Sequence, residues 1–274
     1  MVYLGHIYSR KNSKLYNPQE AFYWYKKAAE LYEIYSFWVG ECYLYGIGVV
    51  KDRHRAMDWY LKAANSGDDA AMNSLGLIYG NLANEAQSYN ERRELQNKEV
   101  NWYEKAAEKG NIDGLYNWGY CYHCGIGVNK NIRKAAELYR KAAKRDYLLA
   151  MIRLGDIFTF DDAYKVVNAS EARKWYEKAA NSGSGEAMQG LGTMFDLGKG
   201  VKKNEQAAFN WYKKAVDAGY VHAMVNLGNM YEEGRYVAKN YVEAVRLYKV
   251  AADNGDTTAM RLIGRMYYNG DGVS

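Results

Sequence analysis

The stretch Ala223-Met224-Val225-Asn226-Leu227-Gly228-Asn229-Met230-Tyr231 decides the fold, because variants of it recur along the whole chain. Its glycine returns at Gly5, Gly40, Gly76, Gly119, Gly155, Gly192 and Gly264, at steps of 35 to 37 residues apart from one of 43. An aromatic ring follows three places later every time: Tyr8, Tyr43, Tyr79, Tyr122, Phe158, Phe195, Tyr231 and Tyr267. A second phrase keeps the same beat, at Trp24-Tyr25, Trp59-Tyr60, Trp102-Tyr103, Leu138-Tyr139, Trp175-Tyr176, Trp211-Tyr212 and Leu247-Tyr248. Self-similarity at such a period is the mark of a repeat architecture.

Both phrases space their small and apolar residues at one face of a 3.6-residue period, so each predicts a helix. Between them stand Gly46-Ile47-Gly48-Val49, Gly125-Ile126-Gly127-Val128, Gly198-Lys199-Gly200-Val201 and Gly270-Asp271-Gly272-Val273. Glycine just past a helix enters the left-handed region without steric cost and ends it. Small residues at Ala21, Ala56, Ala135, Ala172, Ala208 and Ala244, with the phrase glycines, leave room for the rings of the partner helix. One such hairpin cannot bury its apolar face alone, and stacking on neighbours supplies a shared core.

The pattern A-M-x-x-L-G-x-x-Y-x-x-G-x-G-V … A-x-x-W-Y-x-K-A-A-x-x-G resembles the Sel-one-like repeat, a relative of the tetratricopeptide repeat, over essentially the whole chain. The resemblance implies an all-α, right-handed α-solenoid of seven to eight antiparallel helix-turn-helix repeats of ~36 residues. One domain, 1–274, is expected, with repeats beginning near residues 1, 36, 71, 114, 150, 187, 223 and 259. The first, third and fifth repeats depart from the glycine turn, and the third carries additional residues between Gly80 and Glu99. That stretch reads as a long charged connection containing Glu91, Arg92, Arg93 and Glu94, and long connections are often functional.

Composition agrees with a folded chain: of 274 residues, 49% are apolar and 15% aromatic, too rich for disorder. A net charge of +5 is spread along the sequence, whereas nucleic-acid binders concentrate theirs on one face, so no nucleic acid is expected. No run reaches the ~18 apolar residues of a membrane span. Met1 stands four places before Gly5, where other repeats have Met72, Met151, Met188, Met224 and Met260, so the chain reads as starting inside a first helix. It reads as stopping at Ser274 before a second helix, a fragment of a longer array. No signal peptide is visible. The residues fit a cytoplasmic scaffold if the chain is near complete, or an exported or periplasmic binder if a signal sequence was removed upstream.

Catalytic and metal chemistry find no constellation. Cys121-x-x-Cys124, with His123 between, lacks the second ligand pair that zinc needs. Cys42 and Cys121 fall two places after the phrase glycine, a slot otherwise held by isoleucine or methionine, and read as small hydrophobes. The glycine turns follow helices and lack the lysine of a phosphate loop. His6, His54, His123 and His222 share no periodicity. Asn168-Ala169-Ser170 is a formal glycosylation site. No enzyme activity, metal or cofactor is expected.

Function is therefore sought on a surface. In tetratricopeptide relatives the first helices line the concave side, and the resemblance implies free positions three before, and one, four and five after, the phrase glycine. In repeats two to five these hold Phe37, Leu44, Tyr45, Leu77, Tyr116, Tyr120 and Phe160, an apolar and aromatic set, with His123 beside them. In repeats five to seven they hold Asp156, Asp196, Glu232 and Glu233, an acidic stretch. Tyrosine offers large contact area at low rotamer cost. The expected partner is a peptide or protein with an apolar anchor near basic residues. The alternative for the rings is packing against neighbouring first helices. By resemblance, the chain is a non-catalytic adaptor, or an exported bacterial binder that mediates host interaction or neutralises a secreted toxin.

Overall fold

A computed structural model describes residues 1–160 and 169–272. Among the described residues every element of more than one turn is an α-helix, so the expected all-helical repeat is the one observed. The chain divides into two compact units, Met1–Arg145 and Asp146–Ser274. The first contains α1 (Val2–Ser9), α2 (Pro18–Leu31), α3 (Ser36–Tyr45), α4 (Arg53–Asn65), α5 (Asp69–Glu85), α6 (Tyr89–Glu108), α7 (Ile112–Cys124) and α8 (Ile132–Ala143). The second contains α9 (Leu148–Phe160), α10 (Ala169–Asn181), α11 (Gly185–Leu197), α12 (Glu205–Asp217), α13 (His222–Glu233), α14 (Tyr241–Asp253) and α15 (Thr257–Asn269).

Within each unit consecutive helices pack as hairpins, and each second helix also packs on the next first helix. Side-chain caps start most of them: Asn17, Asp52, Asn131, Asn204 and Asn240 each accept from the backbone N–H three residues on. Left-handed glycines end the first helices at Gly46, Gly125, Gly198 and Gly234. In the seventh repeat the second left-handed position of the turn is occupied by Tyr236, at φ 64°. Its ring lies 5.5 Å from Phe209 and its hydroxyl accepts from Gln206 Nε2 at 3.0 Å, contacts that hold a side chain where other turns use glycine.

The repeating core is a ring laid over a glycine. Tyr25, Tyr60, Tyr103, Tyr139, Tyr176, Tyr212 and Tyr248 are all buried, and each ring covers the phrase glycine of its hairpin. A Cβ on Gly40 would stand 2.6 Å from the Tyr60 ring, closer than any real side chain comes.

One expectation is corrected here. Glu91–Glu94 do not belong to a long connection: α5 runs to Glu85, α6 begins at Tyr89, and only residues 86–88 join them. The additional residues lengthen the two helices to 17 and 20 residues, against 13 in α4. Ser88 Oγ accepts from the N–H of Glu91 at 3.1 Å, and Glu94 pairs with Lys98 one turn on at 2.9 Å, so the charged residues nucleate helix. The formal glycosylation site falls on Asn168, which lies outside the described residues.

Candidate functional site

The buried tyrosines shape the first-helix face, because their hydroxyls reach it. The Tyr60 hydroxyl donates to Glu41 Oε1 at 2.6 Å, and the Tyr176 hydroxyl to Asp156 Oδ1 at 2.6 Å. The Tyr212 hydroxyl lies 3.3 Å from Thr193 Oγ1 and 3.4 Å from Asp196 Oδ2. The first repeat does the same with His6 Nδ1, 2.9 Å from the Tyr25 hydroxyl. All these partners stand one or four places after the phrase glycine.

In the second unit the acidic positions are paired within the chain. Asp156 also accepts from Arg153 Nη1 at 2.9 Å. Asp196 is paired with Arg235, whose Nε lies 2.6 Å from Glu233 Oε2. Glu232 takes the Tyr248 hydroxyl at 2.8 Å and pairs with Arg265. Asp196 and Glu232 are mostly buried, while Glu233 stays exposed. Arg153 and Arg235, which the sequence reading passed over, thus balance charge that it assigned to a free acidic stretch. The signals were present: Arg153 lies three residues before Asp156, and Arg235 occupies the turn itself.

In the first unit the rings divide into two sets. Phe37 lies 5.7 Å from Tyr60 and 5.0 Å from Trp38, and Leu44 packs on the same core. Tyr116 lies 5.5 Å and His123 6.1 Å from the Tyr139 ring. These four take the packing role. Tyr45, Leu77 and Tyr120 instead remain 59%, 47% and 44% exposed. In the second unit Phe160 is likewise 48% exposed, joined by Leu197 five places after its own phrase glycine.

Leu77 and Tyr120 border one cavity of about 310 Å³, together with Asn81 and Asn84 of α5, Gln96, Glu99 and Tyr103 of α6, and Ile126. Glu99 is a functional candidate that sequence reasoning missed. Its side chain is buried beside the Tyr103 hydroxyl, and burial pushes its carboxyl up to about 7 against that hydrogen bond. A glutamate at a place that other repeats fill with alanine was the signal. Burial also raises the Glu41 carboxyl above the ordinary carboxylate range, opposed by the bond from Tyr60.

Two of the three cysteines offer little reactivity. Cys42 and Cys121 are buried, and burial pushes the Cys42 thiol up to about 12 and the Cys121 thiol further. Cys124 is exposed. Among the described residues no three histidine, cysteine or carboxylate side chains gather in a way that could hold a metal ion, and no helix is long and apolar enough to cross a membrane.

Comparison with known proteins accords with this geometry. The Sel1 repeat profile matches residues 1–32, 36–68, 100–111, 112–147, 148–184, 185–220, 221–256 and 257–274, leaving 33–35 and the long stretch 69–99 unmatched. The crystal structure of a Sel1 repeat protein from Oxalobacter formigenes superposes with a TM-score of 0.72 at 25% identity, covering 97% of this chain and 75% of that one. A protective antigen of uropathogenic Escherichia coli strains, displaying an SLR fold, gives 0.54 at 28% identity, covering 98% of this chain and 64% of that one. Among curated relatives, chitin synthase regulatory factor 3 of Schizosaccharomyces pombe is 32% identical over 108 residues, 39% of this chain. DAP3-binding cell death enhancer 1 of Rattus norvegicus is 29% identical over 112 residues, 41% of this chain. The chain spans 11% and 20% of the lengths of those two proteins.

Proposed function

The chain belongs to the Sel1 repeat family, whose members are protein-interaction scaffolds, and on that premise we infer that its first-helix face docks a partner protein. One observation carries the reading. Tyr45, Leu77 and Tyr120 in the first unit, and Phe160 in the second, stay largely exposed at first-helix positions while the rings beside them are packed away. Leu77 and Tyr120 border the same cavity, and contiguous apolar surface left in water marks an interaction site where singly scattered residues do not. Tyrosine in particular is enriched among the residues that dominate binding energy.

The partner is a protein or peptide with an apolar anchor, and the chain acts without chemistry of its own. The first unit contributes Tyr45, Leu77 and Tyr120 as contact residues, and the second unit contributes Phe160. Phe37, Leu44, Tyr116 and His123 pack against the core of the first unit. Asp156, Asp196, Glu232 and Glu233 are all paired inside the chain, and Glu233, bound to Arg235 but still exposed, is the one of them a basic partner residue reaches most easily. Nucleic acid is not part of this reading.

Site-specific photo-crosslinking tests it. A benzophenone side chain placed at Tyr45 or Leu77 in the first unit is expected to trap the same protein from native extract. The same probe at Asp58 or Lys174, exposed on second helices, is expected to trap none. Equal yields from both sets of positions would overturn the reading.

A further inference from the structure

The third repeat breaks a rule that the other repeats with two helices keep. Four residues before the second-helix tyrosine those repeats carry Ala21, Ala56, Ala135, Ala172, Ala208 and Ala244, all fully buried. The third carries Glu99. Room for it comes from Gly80, four places after the phrase glycine, where a Cβ would stand 2.7 Å from Glu99 Oε1. The acceptor that His6, Glu41, Asp156, Thr193 and Asn229 offer to the tyrosine, one place after the phrase glycine of their repeats, is also gone, replaced by the apolar Leu77. A carboxylate has moved from the first helix to the second, and this repeat contains the long stretch that the family profile leaves unmatched.

What the exchange leaves is the cavity of about 310 Å³. Its polar lining is the Glu99 carboxyl, the Tyr103 hydroxyl and the side-chain amides of Asn81, Asn84 and Gln96, each amide bringing a carbonyl acceptor as well as an N–H donor. None of the described residues that line it is a lysine or an arginine. At its edge Leu77 and Tyr120 are exposed. A buried carboxylate is costly unless a counter-charge meets it, and the titratable groups facing this one, the Tyr103 phenol and the Cys121 thiol, are not cations.

We propose that this cavity receives one arginine side chain of a partner protein, with the guanidinium donating to Glu99 and its stem and plane resting on Leu77 and Tyr120. Arginine fits better than any other cation in chemistry: its fork donates to a carboxylate and to amide carbonyls at once, and its flat face stacks on a ring. The inference rests on the reading of the first-helix face as a docking surface and names the chemistry that one part of it recognises.

Three elements meet at Glu99. Tyr103 on its own helix and Cys121 on α7 are the titratable groups that face it, while α5 presents Gly80. Burial raises the pKa of both the tyrosine and the cysteine, so near neutrality the charge of the cavity is that of Glu99 alone. Arginine binds the ionised form, so affinity rises with pH through the titration of Glu99 near 7.

The test uses the full chain and a defined probe, Nα-acetyl-arginine-N-methylamide, with the norleucine analogue as the uncharged comparison. Side-chain amide resonances of Asn81, Asn84 and Gln96 are followed by NMR. The arginine probe is expected to shift them with millimolar affinity, the norleucine probe not. Affinity is expected to weaken roughly tenfold from pH 8 to pH 6, and by tenfold or more in Glu99→Gln. Equal shifts from both probes, no shifts from either, or unchanged affinity in Glu99→Gln would overturn the proposal. Should that variant not fold, the carboxyl ¹³C titration of Glu99 in the unmodified chain decides: its midpoint must fall when the arginine probe is present, and an unmoved midpoint refutes the site. Crosslinking from Tyr45 is independent of the cavity. A silent cavity with productive Tyr45 crosslinks discards the arginine site alone, and silence at Tyr45 discards the docking face.

Discussion

The Tyr248 ring lies over Gly228, so that a Cβ on the glycine would stand 2.5 Å from Cε1 of the ring. The same tyrosine's hydroxyl is 2.6 Å from Asn229 Oδ1 and 2.8 Å from Glu232 Oε2, beyond the glycine on the same helix. One side chain thus closes the hairpin and patterns the face beyond it. The relationship recurs with variations in the other repeats, and most of the expected behaviour of the molecule follows from it.

The contact between glycine and ring predicts a reversal of sign. Gly228→Ala and Gly40→Ala force a buried ring aside and are expected to destabilise their units by about 1–3 kcal/mol. Gly264→Ala, where nothing lies within 4 Å of the added carbon, is expected to stabilise by up to ~1 kcal/mol through helix propensity. Denaturant unfolding of the three variants checks both directions, and equal losses at all three would contradict the packing account.

The hydroxyl can be removed without disturbing the ring. Tyr60→Phe deletes the donor to Glu41 and is expected to cost about 1–2 kcal/mol. Because that bond holds the Glu41 carboxyl down against burial, its titration midpoint must also rise. Thermal unfolding measures the first effect and carboxyl ¹³C NMR the second. A midpoint that falls or stays put would show that Tyr60 does not govern Glu41.

Glu99 makes stability depend on pH with a definite sign. Its folded-state pKa is raised from 4.5 to about 7, so between those values the folded chain binds more protons than the unfolded one. Stability contributed by the neutral form is therefore lost as pH rises through 7. Glu99→Gln removes the titration. The melting temperature of the variant minus that of the unmodified chain is expected to grow from pH 5 to pH 8, and a constant or shrinking difference would contradict the assignment.

Much of this was legible in the residues, for identifiable reasons. The glycine and tyrosine pairs could be read because each recurs at a fixed place in every hairpin. The left-handed turns could be read from glycine, except at Asp146 and at Tyr236, which adopts the same backbone by virtue of its contacts with Phe209 and Gln206. The helical start of α6 was hidden by its charge, although Ser88 followed by Glu91 is a capping signal and no glycine or proline interrupts the stretch from Asn81 to Glu99. The pairing of Asp156, Asp196 and Glu232 was hidden for another reason. Period alone puts those residues on the first-helix face but cannot tell that a phenol from the partner helix reaches that far, or that Arg235 folds back from a turn. Glu99 stood in plain view as the exception to a column of alanines, yet what it does depends on Gly80, which the period marks only as an absent side chain.

The docking face itself is tested most directly by pairing affinity with stability. With the crosslinked partner identified and purified, Kd and melting temperature are measured for Tyr120→Ala and Leu77→Ala, at the exposed rim, and for Tyr116→Ala, on the packed ring beside Tyr139. The account predicts that the rim variants weaken binding at least tenfold while melting within about 2 °C of the unmodified chain, and that Tyr116→Ala lowers the melting temperature by several degrees. Rim variants that melt early and bind with unchanged affinity would contradict it.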